Sequence, residues 1–297
     1  MEKNKKTRHQ KVKKLMSRLE KGVREVMESE RFKAYLEFIA SFHRYSYYNT
    51  LSIFLHKPDA TLVKGMKQWN KHGRKVKKGE KGIPILAPIQ IEVKKEKKDE
   101  QGNVVRDENG NVVYETIKIN TFKTVYVFDV SQTEGKELPE PPIEAIRGSS
   151  AEAERLYQVL KSLIPIPVRE GDTGTAHGYY DLIKNEIVIS HRNERNHQLK
   201  TLIHEYAHYL LHRKGAQYEK ESREIKEAQA ESIAYVVGKY FGLNTDGYSF
   251  GYVAAWAKRE TEIIRQIMEE VQQFSGFIID QIEKAVADHQ QTAAQKN

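Results

Sequence analysis

Residues 197–215 read HQLKTLIHEYAHYLLHRKG, and this stretch decides the fold of the second half of the chain. Leucine and isoleucine residues recur in it with helical spacing, and Gly215 follows as a C-terminal stop, so we predict a helix. Its centre has the H-E-x-x-H spacing, with His204 and His208 four residues apart. Because a helical turn takes about 3.6 residues, both imidazoles lie on one face and point to one position. Two such ligands predict a zinc site.

Glu205 directly follows the first histidine, so its side chain lies beside the metal position rather than on it. Zinc bound through neutral nitrogens lowers the pKa of its water towards about 7. A carboxylate within hydrogen-bond distance can then take the proton as the water attacks a carbonyl carbon. We therefore predict that Glu205 is the catalytic base of a peptide or amide hydrolysis.

A catalytic zinc usually has three protein ligands and one open position, so a further ligand is expected downstream. Glu224 to Phe241 is largely apolar and is followed by Gly242, which predicts a second helix. Glu227 and Glu231 lie on this helix one turn apart. We assign Glu227 as the third ligand and Glu231 as the acceptor of a proton from a ligating histidine, and the reverse assignment stays open.

These residues also have an ordinary structural interpretation. The histidines could be polar positions on a half-buried helix, with Glu205 as a solvated charge beside them. Glu227 and Glu231 could be the solvated face of the second, amphipathic helix. The helix, its glycine stop and the acidic helix downstream together favour the metal site. His212 continues the face of His208, but a histidine at a helix end commonly interacts with the helix dipole, so we leave it out of the ligand set.

The composition predicts a globular protein outside the membrane. A chain of 297 residues with 39% hydrophobic and 30% charged residues is long enough for two domains with their own cores. It has no cysteine, which excludes disulfides and thiolate metal sites and agrees with a reducing compartment. No apolar run approaches the roughly 18 residues of a membrane span, and the basic N-terminus has no hydrophobic segment behind it. We expect a cytoplasmic protein with no membrane partner.

The positive charge is concentrated in the first half of the chain. Residues 1–140 carry a net charge of +11, and the remainder carries −3. The charge is densest in KGMKQWNKHGRKVKKGEK, residues 64–81, which holds eight basic residues and one acid. Lysines and arginines that neutralise phosphates gain affinity by releasing counterions, so the basic half is expected to bind an anionic polymer.

Aromatic residues near the basic segment favour single-stranded over double-stranded DNA, because exposed bases stack on aromatic rings at about 1 to 3 kcal/mol each. Two structural alternatives remain open: the three tyrosines after residue 44 could equally be core residues, and a lysine-rich segment is commonly a solvated face. The candidate DNA-contacting residues are Tyr45, Tyr47, Tyr48, Asn49, Trp69, Lys71, Arg74, Lys75, Lys77, Lys78 and Lys81.

The sequence predicts an α+β fold in two domains. Residues 1–135 form an α+β DNA-binding domain with residues 1–15 disordered, residues 136–150 form a linker, and residues 151–297 form a mostly helical, zincin-like metallopeptidase domain with a small sheet. In the first domain, helical periodicity covers roughly Gln10–Glu28, Arg31–His43, Asn49–Leu55 and Lys64–Lys71. Strands are predicted over Ile83–Val93 and in two runs within Val112–Val130, joined by a charged hairpin with turns at Gly102-Asn103 and Asn109-Gly110.

In the second domain, a helix over Ala151–Ser162 precedes strands at Val168, Gly178–Asp181 and Glu186–Ser190. A sheet edge beside the metal helix is where a zinc peptidase would hold an extended substrate, as an added strand. Beyond the motif YSFGY at 248–252, two further helices are predicted over Val253–Phe274 and Gly276–Ala287.

The chain from Phe32 to Gly251 resembles the ArdC-type antirestriction proteins of plasmids and other mobile elements. The resemblance rests on YSYYNTLSIFLHKPDATLVKGMKQWNKHGRKVKKGEKGIPILAP from residue 45, VFDVSQT from 127, GYYDLIKNEIVIS from 178, HEYAH from 204 and EAQAESIAYVV from 227. Such proteins join a single-stranded-DNA-binding domain to a zinc-peptidase-like domain. The resemblance therefore implies protection of incoming single-stranded DNA from host nucleases.

The second half is also similar to the ImmA/IrrE-type metallopeptidases, which carry the third ligand on the helix after H-E-x-x-H. This resemblance implies zinc binding by His204, His208 and Glu227, with Glu205 as base. Many of those peptidases have asparagine where this chain has Glu231, which keeps the choice of third ligand open.

Three functional hypotheses follow. The favoured one is a single-stranded-DNA-binding antirestriction protein with a zinc-dependent, peptidase-type site. The second is a zinc metallopeptidase that cleaves a specific protein substrate, such as a repressor or a host defence protein, and uses the basic domain as a DNA tether. The third is a non-catalytic DNA-binding module with structural zinc, which Glu205 disfavours because a structural site needs no base.

Overall fold

The computed structural model describes residues 2–26, 29–138, 150–245 and 261–294, and these form a mixed α+β fold with small sheets, as the sequence predicted. The helices are α1 (Glu2–Val26), α2 (Ser29–Phe42), α3 (Tyr47–His56), α4 (Met66–Lys71), α5 (Ser150–Leu163), α6 (Arg195–His212), α7 (Arg223–Tyr240) and α8 (Thr261–Ala294). The strands are β1 (Val63–Lys64), β2 (Arg74–Val76), β3 (Ile83–Glu96), β4 (Tyr114–Asp129), β5 (Thr133–Gly135), β6 (Val168–Gly171), β7 (Gly178–Asp181) and β8 (Glu186–Ser190).

Helix α1 extends further towards the N-terminus than the sequence predicted. We expected disorder over residues 1–15 and a helix from Gln10, but the helix begins at Glu2. Its first turns are rich in lysine, which is a good helix former, and neither glycine nor proline occurs before Gly22. Leu15, Leu19 and Val23 follow at intervals of four and are buried, so they anchor α1 to the core.

Strands β3 and β4 form a long antiparallel ribbon in which Ile83 pairs with Val127 at one end and Glu96 with Tyr114 at the other. β1 pairs with the other edge of β4, which gives the strand order β1-β4-β3. The prediction of two runs within Val112–Val130 was wrong, because β4 is one strand of 16 residues that no glycine or proline interrupts. The predicted turns are confirmed: Gly102 and Gly110 have positive φ of 86° and 80°.

The second half contains a three-stranded sheet with the order β6-β8-β7. β6 runs parallel to β8, and β7 runs antiparallel to β8, which leaves β7 at an edge of the sheet. Helix α6 follows β8, and α7 begins after Ser222, whose side chain accepts a hydrogen bond from the backbone N–H of Ile225. This order places the edge strand and the two predicted metal-binding helices together.

Helix α8 is continuous where two helices were expected with a break before Gly276. A Cβ at Gly276 would lie only 3.0 Å from the backbone oxygen of His43, so the glycine lets α8 pass close to the end of α2. The YSFGY motif, the predicted helix start at Val253 and most of the linker over 136–150 lie outside the described residues.

Both halves of the chain contribute to one continuous hydrophobic core, rather than to two separate cores. Helix α2 packs against α7 and α8, where the Tyr235 hydroxyl donates to the Glu37 carboxylate at 2.8 Å and the Gln272 amide donates to the Phe42 carbonyl at 3.2 Å. In the described part of the chain, no helix has both the length and the apolar composition needed to cross a membrane.

Candidate metal centre

Three potential metal ligands converge between α6 and α7. The Nε2 atoms of His204 and His208 are 3.1 Å apart, and one oxygen of Glu227 lies 3.5 Å from the first and 3.6 Å from the second. The i, i+4 spacing on α6 brings the two rings together, and the packing of α7 on α6 supplies the carboxylate. The sequence motif and the downstream acidic helix therefore meet at one point.

The spacing of these donors fits zinc. A tetrahedral zinc ion with bonds of about 2.0–2.1 Å requires donor atoms about 3.3 Å apart, close to the three distances observed. Two imidazoles and one carboxylate are a catalytic donor set that leaves a fourth position open. The site therefore has the donor types, number and spacing that zinc requires.

Glu205 lies beside this site and is buried, with 8% of its surface exposed. Burial raises the pKa of its carboxyl group, although the nearby histidines and a backbone hydrogen bond from Tyr180 in β7 favour the charged form. A carboxyl group with a raised pKa, held next to a metal position, is suited to accept a proton. The hydrogen bond from β7 also fixes the position of this carboxylate relative to the sheet edge.

The two glutamates of α7 occupy different positions. An oxygen of Glu227 lies close to the ring nitrogens of both histidines, and these contacts hold the pKa of its carboxyl group well below the usual range. Glu231 lines the same cleft and influences His204 electrostatically, but its carboxylate is outside the three-donor cluster. The geometry thus matches the assignment of Glu227, rather than Glu231, as the third ligand.

A cleft of about 960 Å³ opens over the three donors, between α6, α7 and β7. The carbonyl of His177, just before β7, accepts a hydrogen bond from the backbone of Ser190 at 2.9 Å. Antiparallel pairing alternates, so the backbone groups of Gly178 and Tyr180 point away from β8. A larger residue at position 178 would collide with α6, since its Cβ would lie 2.6 Å from Thr201. The open edge of β7 therefore faces the metal position.

His212 was left out of the ligand set, and the structure gives it a different place in the site. Its Nδ1 lies 2.9 Å from Nδ1 of His208, on the far side of that ring from the metal position. Its Nε2 lies 2.9 Å from the side-chain oxygen of Gln229. Burial lowers the pKa of His212 to about 4, so the ring is neutral near pH 7.

The hydrogen bonds continue from Gln229 to α8. The side-chain amide of Gln229 donates to the carboxylate of Glu270, which is only 2% exposed and whose pKa burial raises to about 7. Sequence reasoning missed both residues. The i, i+4 spacing of His208 and His212 was a usable signal, but the position of α8 relative to α7 could not be obtained from the sequence.

A second group of potential metal ligands lies where α2 meets α8, with His43 Nε2 3.7 Å from a carboxylate oxygen of Asp280. The Arg44 guanidinium already lies 3.4 Å from Asp280 and 2.6 Å from Glu283. A fixed positive charge on both carboxylates opposes the binding of a cation, so this group is better described as an ion pair between the two helices.

Comparisons with known proteins agree with these two regions. Residues 5–128 match the family described as the N-terminal domain of anti-restriction factor ArdC, and residues 164–246 match the IrrE N-terminal-like domain. The chain joins an ArdC N-terminal domain to an IrrE-like domain. The matched ranges contain the basic segment and the metal centre, respectively.

The chain is also similar to individual proteins. It is 28% identical to an uncharacterized protein of Bacillus anthracis, over 85% of this chain and 48% of that protein. It is 26% identical to the DNA primase TraC of Escherichia coli, over 63% of this chain and 13% of that protein. The chain therefore spans about half or less of these relatives. The metal-free crystal structure of the antirestriction ArdC protein from the R388 plasmid shares the fold, with a TM-score of 0.50 and 19% identity, over 82% of this chain and 86% of that chain.

Within the ArdC-type domain, several predicted DNA-contacting residues have structural roles instead. Trp69 has no exposed surface, and its indole N–H donates to the Phe128 carbonyl at 2.8 Å. Tyr47 is only 4% exposed. The predicted use of these two rings as stacking platforms is therefore wrong, because a base cannot reach a buried ring face. Tyr45 and Tyr48 are half-buried and pack against the core.

Two polar residues of the predicted set are bound to the backbone of the ArdC-type domain. The Asn49 amide accepts from the N–H of Leu86 at 2.8 Å and donates to its carbonyl at 2.9 Å, which fastens α3 to β3. The Arg74 guanidinium donates to the Lys136 carbonyl at 2.7 Å and to Thr133. The remaining residues of the set are exposed and stay candidates: Lys71, Lys75, Lys77, Lys78 and Lys81.

Exposed aromatic rings occur instead on the β3–β4 ribbon. Phe122 and Tyr126 are 53% and 52% exposed, and they lie on one face because they are four residues apart in a strand. Their cross-strand partners are Pro88 and Pro84, so this part of the face is apolar on both strands. We name these four residues the ribbon face. The alternation along β4 was visible in the sequence, but which face is buried depends on how the ribbon packs.

Proposed function

We propose that this protein is a single-stranded-DNA-binding antirestriction protein of a mobile element, with a zinc-dependent, peptidase-type centre in its IrrE-like domain. The observation that carries the proposal is the three-donor cluster with a buried carboxylate beside it. A structural zinc site would need a fourth protein ligand and no base. The match to the ArdC N-terminal domain supports the DNA-binding half.

Each residue of the centre has a separate role in this proposal. His204, His208 and Glu227 would hold the zinc ion, which when bound supplies a water of lowered pKa and polarises the substrate carbonyl. Glu205 would accept the proton of the attacking water and pass it to the leaving nitrogen. Its burial and its hydrogen bond to β7 keep the carboxylate oriented while the substrate binds.

The substrate of this centre would be an extended peptide segment. The outward backbone groups of Gly178 can pair with such a segment as an added strand on the edge of β7. Tyr179 and Leu182 at the rim of the cleft are 36% and 57% exposed, so they suit a substrate with apolar side chains near the cleaved bond.

The ribbon face and the neighbouring lysines would bind the DNA. Tyr126 packs against Gly82, because a Cβ at position 82 would come within 2.8 Å of the tyrosine side chain. Lys81 directly precedes this glycine and is exposed. Exposed rings next to exposed lysines combine base stacking with phosphate neutralisation, a combination that favours single strands. This surface replaces the buried Trp69 and Tyr47 as the stacking platform.

The metal half of the proposal is tested by zinc titration of the metal-free protein in competition with a chelating dye. We expect one zinc ion per chain, with binding lost in His204→Ala. Hydrolysis is then followed with fluorogenic peptides that carry apolar residues, comparing wild type with Glu205→Gln. A protein that binds zinc but cleaves no peptide faster than Glu205→Gln does would reject the peptidase role and leave a structural zinc site.

The DNA half is tested by fluorescence anisotropy with labelled single-stranded and double-stranded oligonucleotides of equal length at several salt concentrations. We expect a preference for the single strand that weakens as salt rises. Phe122→Ala and Tyr126→Ala should each weaken binding at least about fivefold, since a stacked ring contributes about 1–3 kcal/mol. Tyr114→Ala is the matched control, because Tyr114 is 56% exposed but lies at the far end of the same strand face. An equal loss of affinity in all three variants would count against the ribbon face.

The alternative in which the protein is a dedicated peptidase with a DNA tether is favoured by the open edge of β7. It differs from the main proposal in one measurable respect. Glu205→Gln would then abolish protection against restriction in cells, whereas a role that depends only on DNA binding would survive the substitution.

A further inference from the structure

We propose that His212, Gln229 and Glu270 form a hydrogen-bonded chain that orients the zinc ligand His208 and strengthens its bond to the metal. This inference rests on the proposed zinc site and adds positioning residues to it. The chain runs from α6 through α7 to α8, and each of its residues is at most 3% exposed. The hydrogen bonds therefore begin at His212 in the wall of the cleft and continue through Gln229 and Glu270 into the protein interior.

The direction of every hydrogen bond follows from metal binding at one atom. A zinc ion at Nε2 of His208 requires a lone pair there, so the proton of the neutral ring is on Nδ1. That N–H then donates to Nδ1 of His212 at 2.9 Å, which places the proton of the second ring on its Nε2. This Nε2–H donates to the carbonyl oxygen of Gln229 at 2.9 Å, and the Gln229 amide donates to Glu270.

In this hydrogen-bonded chain of side chains, every donor has an acceptor. Each group between the metal position and Glu270 acts once as a donor and once as an acceptor, and the chain ends on a carboxylate that can only accept when ionised. The reverse arrangement would put a proton on Nε2 of His208 and block the metal. With Glu270 ionised, these hydrogen bonds therefore favour the tautomer of His208 that binds zinc.

Two consequences follow for the metal. An acceptor on Nδ1–H makes His208 a more basic ligand and fixes the rotation of its ring, and the loss of such an acceptor typically costs 10–100-fold in metal affinity. Removal of His212 or Gln229 would also leave a buried donor or acceptor of the chain without its partner. The effect should thus appear in zinc binding even when no peptide is present.

The test uses the metal-free chain of 297 residues and measures the zinc dissociation constant by competition with a chelating dye. We expect Gln229→Met and His212→Leu to raise the dissociation constant about 10–100-fold. His212→Gln should recover much of the affinity, because its amide can accept from His208 and donate to Gln229. The absorption spectrum of the cobalt-substituted protein should shift in the same variants, since it reports the geometry of the ligands.

Gln272→Met is the matched control for a purely structural effect. Gln272 is also a buried glutamine, 3% exposed, but its amide donates to the Phe42 carbonyl and is not connected to the metal position. It should lower stability without changing zinc affinity by more than about twofold. Equal zinc affinities in Gln229→Met and Gln272→Met, or in His212→Leu and wild type, would overturn the inference. A wild-type protein that binds no zinc would instead overturn the proposed function, and this inference with it.

Discussion

Individual residues were predicted for both the metal centre and the basic surface, but the predicted residues lie together in the structure only at the metal centre. At the candidate metal centre, the donor atoms of the predicted ligands His204, His208 and Glu227 lie 3.1 to 3.6 Å from one another. On the basic surface, Trp69 is buried and Asn49 is fastened to the backbone of β3. A metal motif is defined by short-range geometry, whereas a binding surface is defined by exposure, which depends on how the whole chain packs.

The largest effect that would separate the two regions is expected from Glu205→Gln. Loss of the base should lower peptide hydrolysis by about 10²–10⁴-fold, because the glutamine can no longer accept a proton. Initial rates at saturating zinc measure it. Zinc affinity and single-stranded DNA binding should stay unchanged, and a parallel loss of zinc would show that Glu205 supports the site rather than catalysis.

The two glutamates of α7 provide the next comparison. Glu227→Ala removes one of three donors and should weaken zinc binding roughly a thousandfold, whereas Glu231→Ala, outside the three-donor cluster, should weaken it no more than about 10–100-fold. Dissociation constants from dye competition measure both. If Glu231→Ala weakened zinc binding more than Glu227→Ala, the third ligand would be Glu231 rather than Glu227.

On the other surface, Asn49→Ala should lower the free energy of unfolding by about 2–3 kcal/mol, since two hydrogen bonds to the backbone of Leu86 are removed. Urea unfolding measures this change. Gln90→Ala is the control, because Gln90 is an exposed glutamine of β3 and its replacement should cost no more than about 0.5 kcal/mol. If Asn49→Ala instead left stability unchanged and weakened DNA binding, Asn49 would again be a candidate DNA contact.

The smallest effect is expected from replacing Lys75, Lys77 and Lys78 together by alanine. If these exposed lysines neutralise phosphates, the slope of log affinity against log salt should fall by about 0.7 for each phosphate that is no longer neutralised. Anisotropy titrations at several salt concentrations measure the slope. Lys184, Lys214 and Lys220 are exposed in the second half, so their triple alanine variant controls for net charge. An equal change in both variants would mean that only net charge matters.

The sequence alone determined the local elements and the chemistry that follows from spacing. The i, i+4 histidines, the adjacent base, the acidic helix downstream and the α+β fold class could all be read from residue patterns, because a helix places such residues on one face whatever surrounds it. The turns at Gly102 and Gly110 were equally local, since few other residues adopt a positive φ.

The tertiary structure decided which side chains are exposed and which distant residues meet. Glu270 joins Gln229 only because α8 packs on α7, and Phe122 and Tyr126 are exposed only because the opposite face of the ribbon packs on the core. Burial and contacts between remote segments depend on the arrangement of all the elements together, and no pattern within a single helix or strand contains that arrangement. For this reason the three proposed metal ligands could be predicted from the sequence, whereas the residues proposed to orient His208 could be identified only in the folded structure.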